Sequence, residues 1–192
     1  MRKRTSVVFV FLALACGAAG FTGARGAVAA DRAEIEATAD SALRALYQKY
    51  PTAELLAQHA KGILIFPKIV KGGFIVGGLY GEGVLRMGSK TVGYYNTVAA
   101  SYGLQAGLQK YGYVLFFMTD AALGYLERSD GWEVGIGPSI VVVDEGLAKS
   151  LTTTTARDDV YAFIFGQKGL MAGIGLQGSK ITRIHKSSSS IR

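Results

Sequence analysis

One cysteine, Cys16, stands in 192 residues, so no intramolecular disulfide can form and any fold must rest on its core. Cysteine-rich metal sites and dithiol redox chemistry are excluded with it. The only histidines, His59 and His185, stand in no spacing such as HExxH, so the sequence holds no histidine metal motif either. There is no GxSxG elbow and no phosphate loop followed by Lys-Ser or Lys-Thr. The acid pairs Asp144-Glu145 and Asp158-Asp159 fall in polar, turn-like stretches without a partner nucleophile. No catalytic residue, metal or cofactor is therefore assigned, and the chain reads as a non-enzyme. Only three prolines interrupt it, and Pro51 and Pro67 mark breaks used below.

Acids are missing altogether from the first thirty residues, which carry Arg2, Lys3, Arg4 and Arg25 around an apolar run from Val7 to Ala15. That is the layout of a secretory signal, and the run is too short to cross a bilayer as a helix of about 20 residues. Export to the periplasm is expected. Two exits from the signal stay open. Ala27-Val28-Ala29 has the small-x-small form of an ordinary cleavage site, whereas Leu14-Ala15-Cys16-Gly17 looks like part of a lipobox, with Ala13 where a leucine is usual. The second exit would make Cys16 an acylated N-terminus and the protein a lipoprotein.

Without residues 1–30 the formal charge falls from +7 to +3, from 17 Lys and Arg against 14 acids. Its distribution is uneven: residues 31–60 sum to −2, 61–90 to +4, 91–165 to −4 and 166–192 to +5. If the two basic segments meet in space, they form an anion-attracting face. The remaining length, some 160 residues, suits one domain over 31–186, followed by a frayed serine tail at 187–192.

Asp31 and Glu34 resemble a capping pair, and Ile35, Ala39, Ala42, Leu43, Leu46 and Tyr50 follow at helical spacing, which predicts an amphipathic helix ending near Pro51. A second helix is expected from Thr52, carrying Leu55 and Leu56 and stopping at Gly62. Short Val-, Ile-, Phe- and Tyr-rich runs separated by glycine then predict strands at 63–66, 74–80, 83–87, 91–104, 113–118, 132–143, 160–165, 170–176 and 180–184, with a hairpin turn at Gly88-Ser89. One helix is inserted, from Thr119 as N-cap to Arg128. Without βαβ alternation, the fold class is α+β: a mainly antiparallel, curled or barrel-like sheet with N-terminal amphipathic helices.

Gly173 to Gly178 fits GxGxxG, but only fourteen residues follow, too few for the helix and strand a dinucleotide site needs. Aromatics interleaved with basic residues fall mostly in strand-like runs such as Tyr113 to Phe117, where packing explains them; with export, this argues against nucleic acid. Lys61, Lys68 and Lys71 flank the strand 63–66 and Pro67, a layout that presents ammonium groups beside Ile69 and Val70 and suits a membrane surface. Ordinary solubilising lysines would give the same spacing.

The segment KGILIFPKIVKGGFIVGGLYGEGV from Lys61 to Val84, the step Gly103-Leu104-Gln105-Ala106-Gly107, and Lys168-Gly169-Leu170 with Ala172-Gly173 resemble the three motifs of the SYLF-domain family. The resemblance spans roughly residues 33–185 and is to the exported bacterial members. It implies a lipid-binding domain. Eukaryotic members bind phosphoinositides, and some bind actin, but the Trp-Ser-x-Pro they commonly carry before the central step is replaced here by Gly93-Tyr94-Tyr95-Asn96-Thr97. The implied ligand is an anionic phospholipid or another envelope amphiphile, met through Lys61, Lys68, Ile69, Val70 and Lys71 and the first amphipathic helix. An acyl chain held inside the sheet, or a structural or stress-related envelope role through an unknown protein partner, stay open.

Overall fold

The structure, a computed structural model, describes residues 32–73, 76–102, 107–128, 130–152, 155–166, 176 and 178–186. The signal region with Cys16, most of the central glycine step, all but Leu176 of the strand expected at 170–176, and the serine tail lie outside the described residues.

Two helices, α1 (Arg32–Lys49) and α2 (Pro51–His59), open the domain, with Pro51 in the first turn of α2, where its missing N–H costs nothing. Four long strands follow: β1 (Gly62–Gly73), β2 (Val76–Met87), β3 (Lys90–Tyr102) and β4 (Gly107–Phe117). Then come α3 (Asp120–Arg128), β5 (Trp132–Glu133), β6 (Ile140–Val143), α4 (Glu145–Ser150), β7 (Val160–Phe165) and β8 (Lys180–Ile184). All eight strands form one sheet in the order β5-β8-β3-β2-β1-β4-β7-β6, antiparallel throughout except for the pair β6 and β7.

That order forces the sheet to curl. β5 and β6 lie at its opposite ends, yet only residues 134–139 join them, a reach of about 24 Å fully extended. Eight strands laid flat would separate those ends by about 34 Å. The side chains show which way the curl runs: the Phe117 ring on β4 lies 5.7 Å from the Trp132 ring on β5, although four strands separate them in the sheet. The face bearing Phe117 is thus the inside of a half-barrel. It holds Leu64, Phe66, Ile69, Tyr95, Tyr113, Leu115 and Ile181, and α3 closes over it with Ala122, Leu123 and Leu126. Inside, the Tyr113 hydroxyl donates to Thr97 Oγ1 at 2.9 Å. Burial pushes this phenol well above its ordinary value.

The outer face carries a second core, in which Ile63, Ile65, Val84, Val114, Phe116 and Phe163 meet Ile35, Ala39 and Leu46 of α1, Ala53 and Leu56 of α2, and Ala148 of α4. The apolar stripe of α1 is thus used in packing on the sheet, and a membrane-facing stripe on this helix, expected above, is corrected. Asp40 of α1 holds Arg86 of β2 at 2.6 Å.

The strands expected apart at 74–80 and 83–87 are one strand, β2, and three further elements differ from the sequence reading. The lysine-bearing segment after Phe66 is no loop: β1 continues through Pro67 to Gly73, absorbing the missing proline N–H in a bulge where the register shifts against both neighbours. Glycine makes room for that bulge: a Cβ on Gly83 would overlap the Ile65 carbonyl and the Phe66 ring. The run 132–143 is two short strands rather than one, broken where Gly135 and Gly137 take φ of +108° and +92°. The helix α4 had no counterpart in the sequence reading. Asp144 caps it by accepting from Leu147 N at 2.8 Å.

Candidate binding surface

Cross-strand partners share a face of a sheet, so the registers place side chains without ambiguity. Lys180 pairs with Val98, Val98 with Tyr80, Tyr80 with Val70, and Val70 with Lys110. These five residues form one row across β8, β3, β2, β1 and β4, on the outer face. The next row toward the β1–β2 and β3–β4 connections holds Ala100, Gly78, Gly72 and Leu108. Among the described residues, none of the side chains of these rows belongs to the buried core beneath the helices. Leu108 is 65% exposed, Tyr80 46% and Val98 37%. Lys180, Lys110 and Lys68 are exposed around them. The result is an apolar centre with ammonium groups at its rim.

Of the five residues expected to meet lipid, β1 sends two to this surface, Lys68 and Val70. Ile69 points the opposite way and is 0% exposed inside the half-barrel, which corrects the expectation of an accessible Ile69. Lys71 is paired with Leu79 and Gln109 and lies on the inner face two residues beyond Ile69. Lys61 precedes β1 at its other end, about 23 Å along the strand from Lys68, and sits 3.8 Å from Asp120. Lysines adjacent in sequence are thus divided between two faces and two ends of one strand.

The two basic segments do approach one another. Lys186, just past β8, donates to Glu82 of β2 at 2.6 Å, and the Tyr80 hydroxyl donates to the same carboxylate at 2.7 Å. Burial and this hydrogen bond push the Tyr80 phenol up to about 12, so it stays a neutral donor. Beside this cluster, between the start of α1 and the sheet, lies a cleft of about 180 Å³ bordered by Glu34, Thr38, Lys68, Val70, Tyr80 and Glu82.

Sequence reasoning missed Tyr80, Val98, Leu108, Lys110, Lys180 and Glu34. The hairpin turn at Gly88-Ser89 would have paired Tyr80 with Thr97. A register shift between Leu85 and Arg86 moves the pairing by one residue, to Val98. Among the described residues no group of three or more acidic, histidine or cysteine side chains is arranged to hold a metal. No helix among them is long and apolar enough to cross a membrane.

Residues 98–190 match the family described as Ysc84, Las17-binding protein actin regulator. That family is the SYLF family the motifs resemble, a family of binding domains, and the similarity covers just under half of the chain. Val98, Leu108, Lys110 and Lys180 lie within the matched residues; Lys68, Val70 and Tyr80 precede them. No curated protein matches the chain.

Proposed function

We propose that the protein is a non-enzymatic lipid-binding protein of the bacterial cell envelope that rests on anionic phospholipid through the outer face of its sheet. The observation that carries this reading is the outer-face row in which Tyr80 and Val98 are exposed and Val70 is half-buried, with exposed Leu108 beside it, ringed by Lys68, Lys110 and Lys180. Apolar side chains entering the interface and ammonium groups meeting phosphates are the two ingredients of peripheral adhesion. Each lysine contributes about 1 kcal/mol near an anionic leaflet, so the three give useful but salt-sensitive binding. Export by the N-terminal signal brings the protein to the periplasmic side. Acylation of Cys16, if the lipobox is used, supplies the second signal that stable anchoring requires.

Co-sedimentation with neutral and anionic vesicles tests this. Binding to phosphatidylglycerol vesicles only, lost when Lys68, Lys110 and Lys180 are changed to Glu, supports it; no binding to either vesicle overturns it.

A second reading, an envelope protein acting through protein contacts, draws on the edge strand β6. Among the described residues its outer edge has no pairing strand, and Val142 in it and Ile136 ahead of it are exposed. Headgroup attraction fades as salt rises, whereas an apolar protein interface does not.

A further inference from the structure

The cleft at the start of α1 carries charges of both signs that are in no salt bridge among the described residues. Glu34 and Lys68 border it together, and among the described residues neither is in a salt bridge with the other or with any third group. Glu82, the other carboxylate there, is already held by Lys186 and Tyr80. The free pair is thus one carboxylate and one ammonium, on a helix and a strand that border the same small space. Such a pair complements a ligand with both a phosphate and a cation. At about 180 Å³ the cleft is well below the roughly 300 Å³ at which pockets for drug-sized molecules begin, so it suits a headgroup and not a whole lipid.

Two features narrow the cation. The acceptors available are the Glu34 carboxylate and the Thr38 hydroxyl, which suit a primary ammonium with three N–H donors. A quaternary ammonium has none and is held by several aromatic faces, whereas among the described residues Tyr80 is the one aromatic ring bordering the cleft. One further feature names the source. Val70 and Tyr80 border the cleft and also belong to the apolar row on the outer face, so a molecule seated in it continues onto the surface where acyl chains would lie.

We propose that this cleft binds the headgroup of a phospholipid bearing a phosphate and a primary ammonium, phosphatidylethanolamine in kind, with the phosphate on Lys68 and the ammonium on Glu34. This rests on the lipid-surface reading above and adds headgroup selection to it. General attraction to the anionic leaflet brings the sheet face down, and the cleft then takes one zwitterionic lipid.

The test uses vesicles with a fixed share of phosphatidylglycerol, the remainder being either phosphatidylethanolamine or phosphatidylcholine. The wild-type protein should partition two- to fivefold more strongly onto the ethanolamine vesicles, the range of one partly exposed ion pair. Glu34→Gln should bring that ratio to one while keeping the phosphatidylglycerol-dependent binding. Glu34 is exposed in the first turn of α1, so the variant keeps its fold, which circular dichroism checks. Equal binding of the wild type to both mixtures, or a preference that survives in Glu34→Gln, overturns the headgroup site alone. Absence of binding to either mixture overturns the lipid-surface reading together with it.

Discussion

Lys186 and Glu82, 104 positions apart in sequence, meet at 2.6 Å with side chains only 8% and 10% exposed, which pins the end of the chain after β8 to the middle of β2. A pair this buried contributes little net attraction, but losing one partner strands the other charge away from water. Lys186→Met should therefore lower stability by about 3 kcal/mol. The double variant Lys186→Met/Glu82→Gln should recover most of that loss, because no ion is then left unpaired. Urea denaturation of the single and double variants reads both effects. A double variant no more stable than Lys186→Met would show that the pair is not what ties the two segments.

Crowding beside the β1 bulge sets the cost of enlarging its glycines. Gly83 faces the Ile65 carbonyl and the Phe66 ring so closely that an added methyl meets backbone, which cannot step aside as a side chain tip can. Gly83→Ala should cost at least the 1–3 kcal/mol usual for overpacking. Gly88, in the hairpin turn, has open space around it but φ of +59°, so Gly88→Ala should cost only about 1 kcal/mol, from backbone strain. Melting temperatures of the two variants should rank in that order.

Most of the fold follows from local patterns: the helical spacing from Ile35 to Leu46, the turn at Gly88-Ser89 and the N-cap at Thr119 each lie where an element begins, ends or turns. What escaped depends on pairing between distant strands. Pro67 signals a break to any local reading, and only its two neighbours in the sheet turn it into a bulge within a strand. The same bulge sets Ile69 inside and Val70 outside, and the shift beside Leu85 brings Val98 rather than Thr97 opposite Tyr80. A slip of one residue exchanges the faces of a strand, so the binding surface was the least legible part of the molecule. Lys68 and Val70 were found by their spacing around Pro67. Lys110 and Lys180 join them only through register.

Asp159 holds three elements at one corner. Its carboxylate accepts from Thr119 Oγ1, the cap of α3, and from both the amide and the hydroxyl of Ser139 ahead of β6, each at 3.1 Å. The Ser139 amide first, then the hydroxyls, hold its pKa below the ordinary 3.8. A group whose pKa is depressed by folding stabilises the protein above its unfolded value and loses that contribution as pH falls through the folded value. Asp159→Asn should therefore be less stable than the wild type at neutral pH, with the difference shrinking as pH drops below about 3.8. Thermal melts from pH 7 to pH 2.5 follow the difference. A gap that stays constant with pH would mean that the carboxylate charge contributes nothing.

Lysines on β1 should differ sharply in their effect on vesicle binding, although sequence alone groups them. Lys68 stands at the rim of the apolar row, whereas Lys61 lies at the far end of the strand beside Asp120. Reversing Lys68, Lys110 or Lys180 to Glu removes one attraction and adds one repulsion, so each should weaken partitioning onto phosphatidylglycerol vesicles by about thirtyfold at low salt, two charges' worth at about 1 kcal/mol each. Lys61→Glu should leave it nearly unchanged. The differences should narrow in 0.5 M salt, where screening falls to a few ångströms. Leu108→Asp should weaken binding at both salt concentrations, because the apolar contact it removes is not screened. If Lys61→Glu proved as damaging as Lys68→Glu, the protein would be meeting lipid through the opposite end of the half-barrel, where Lys61 and α3 lie.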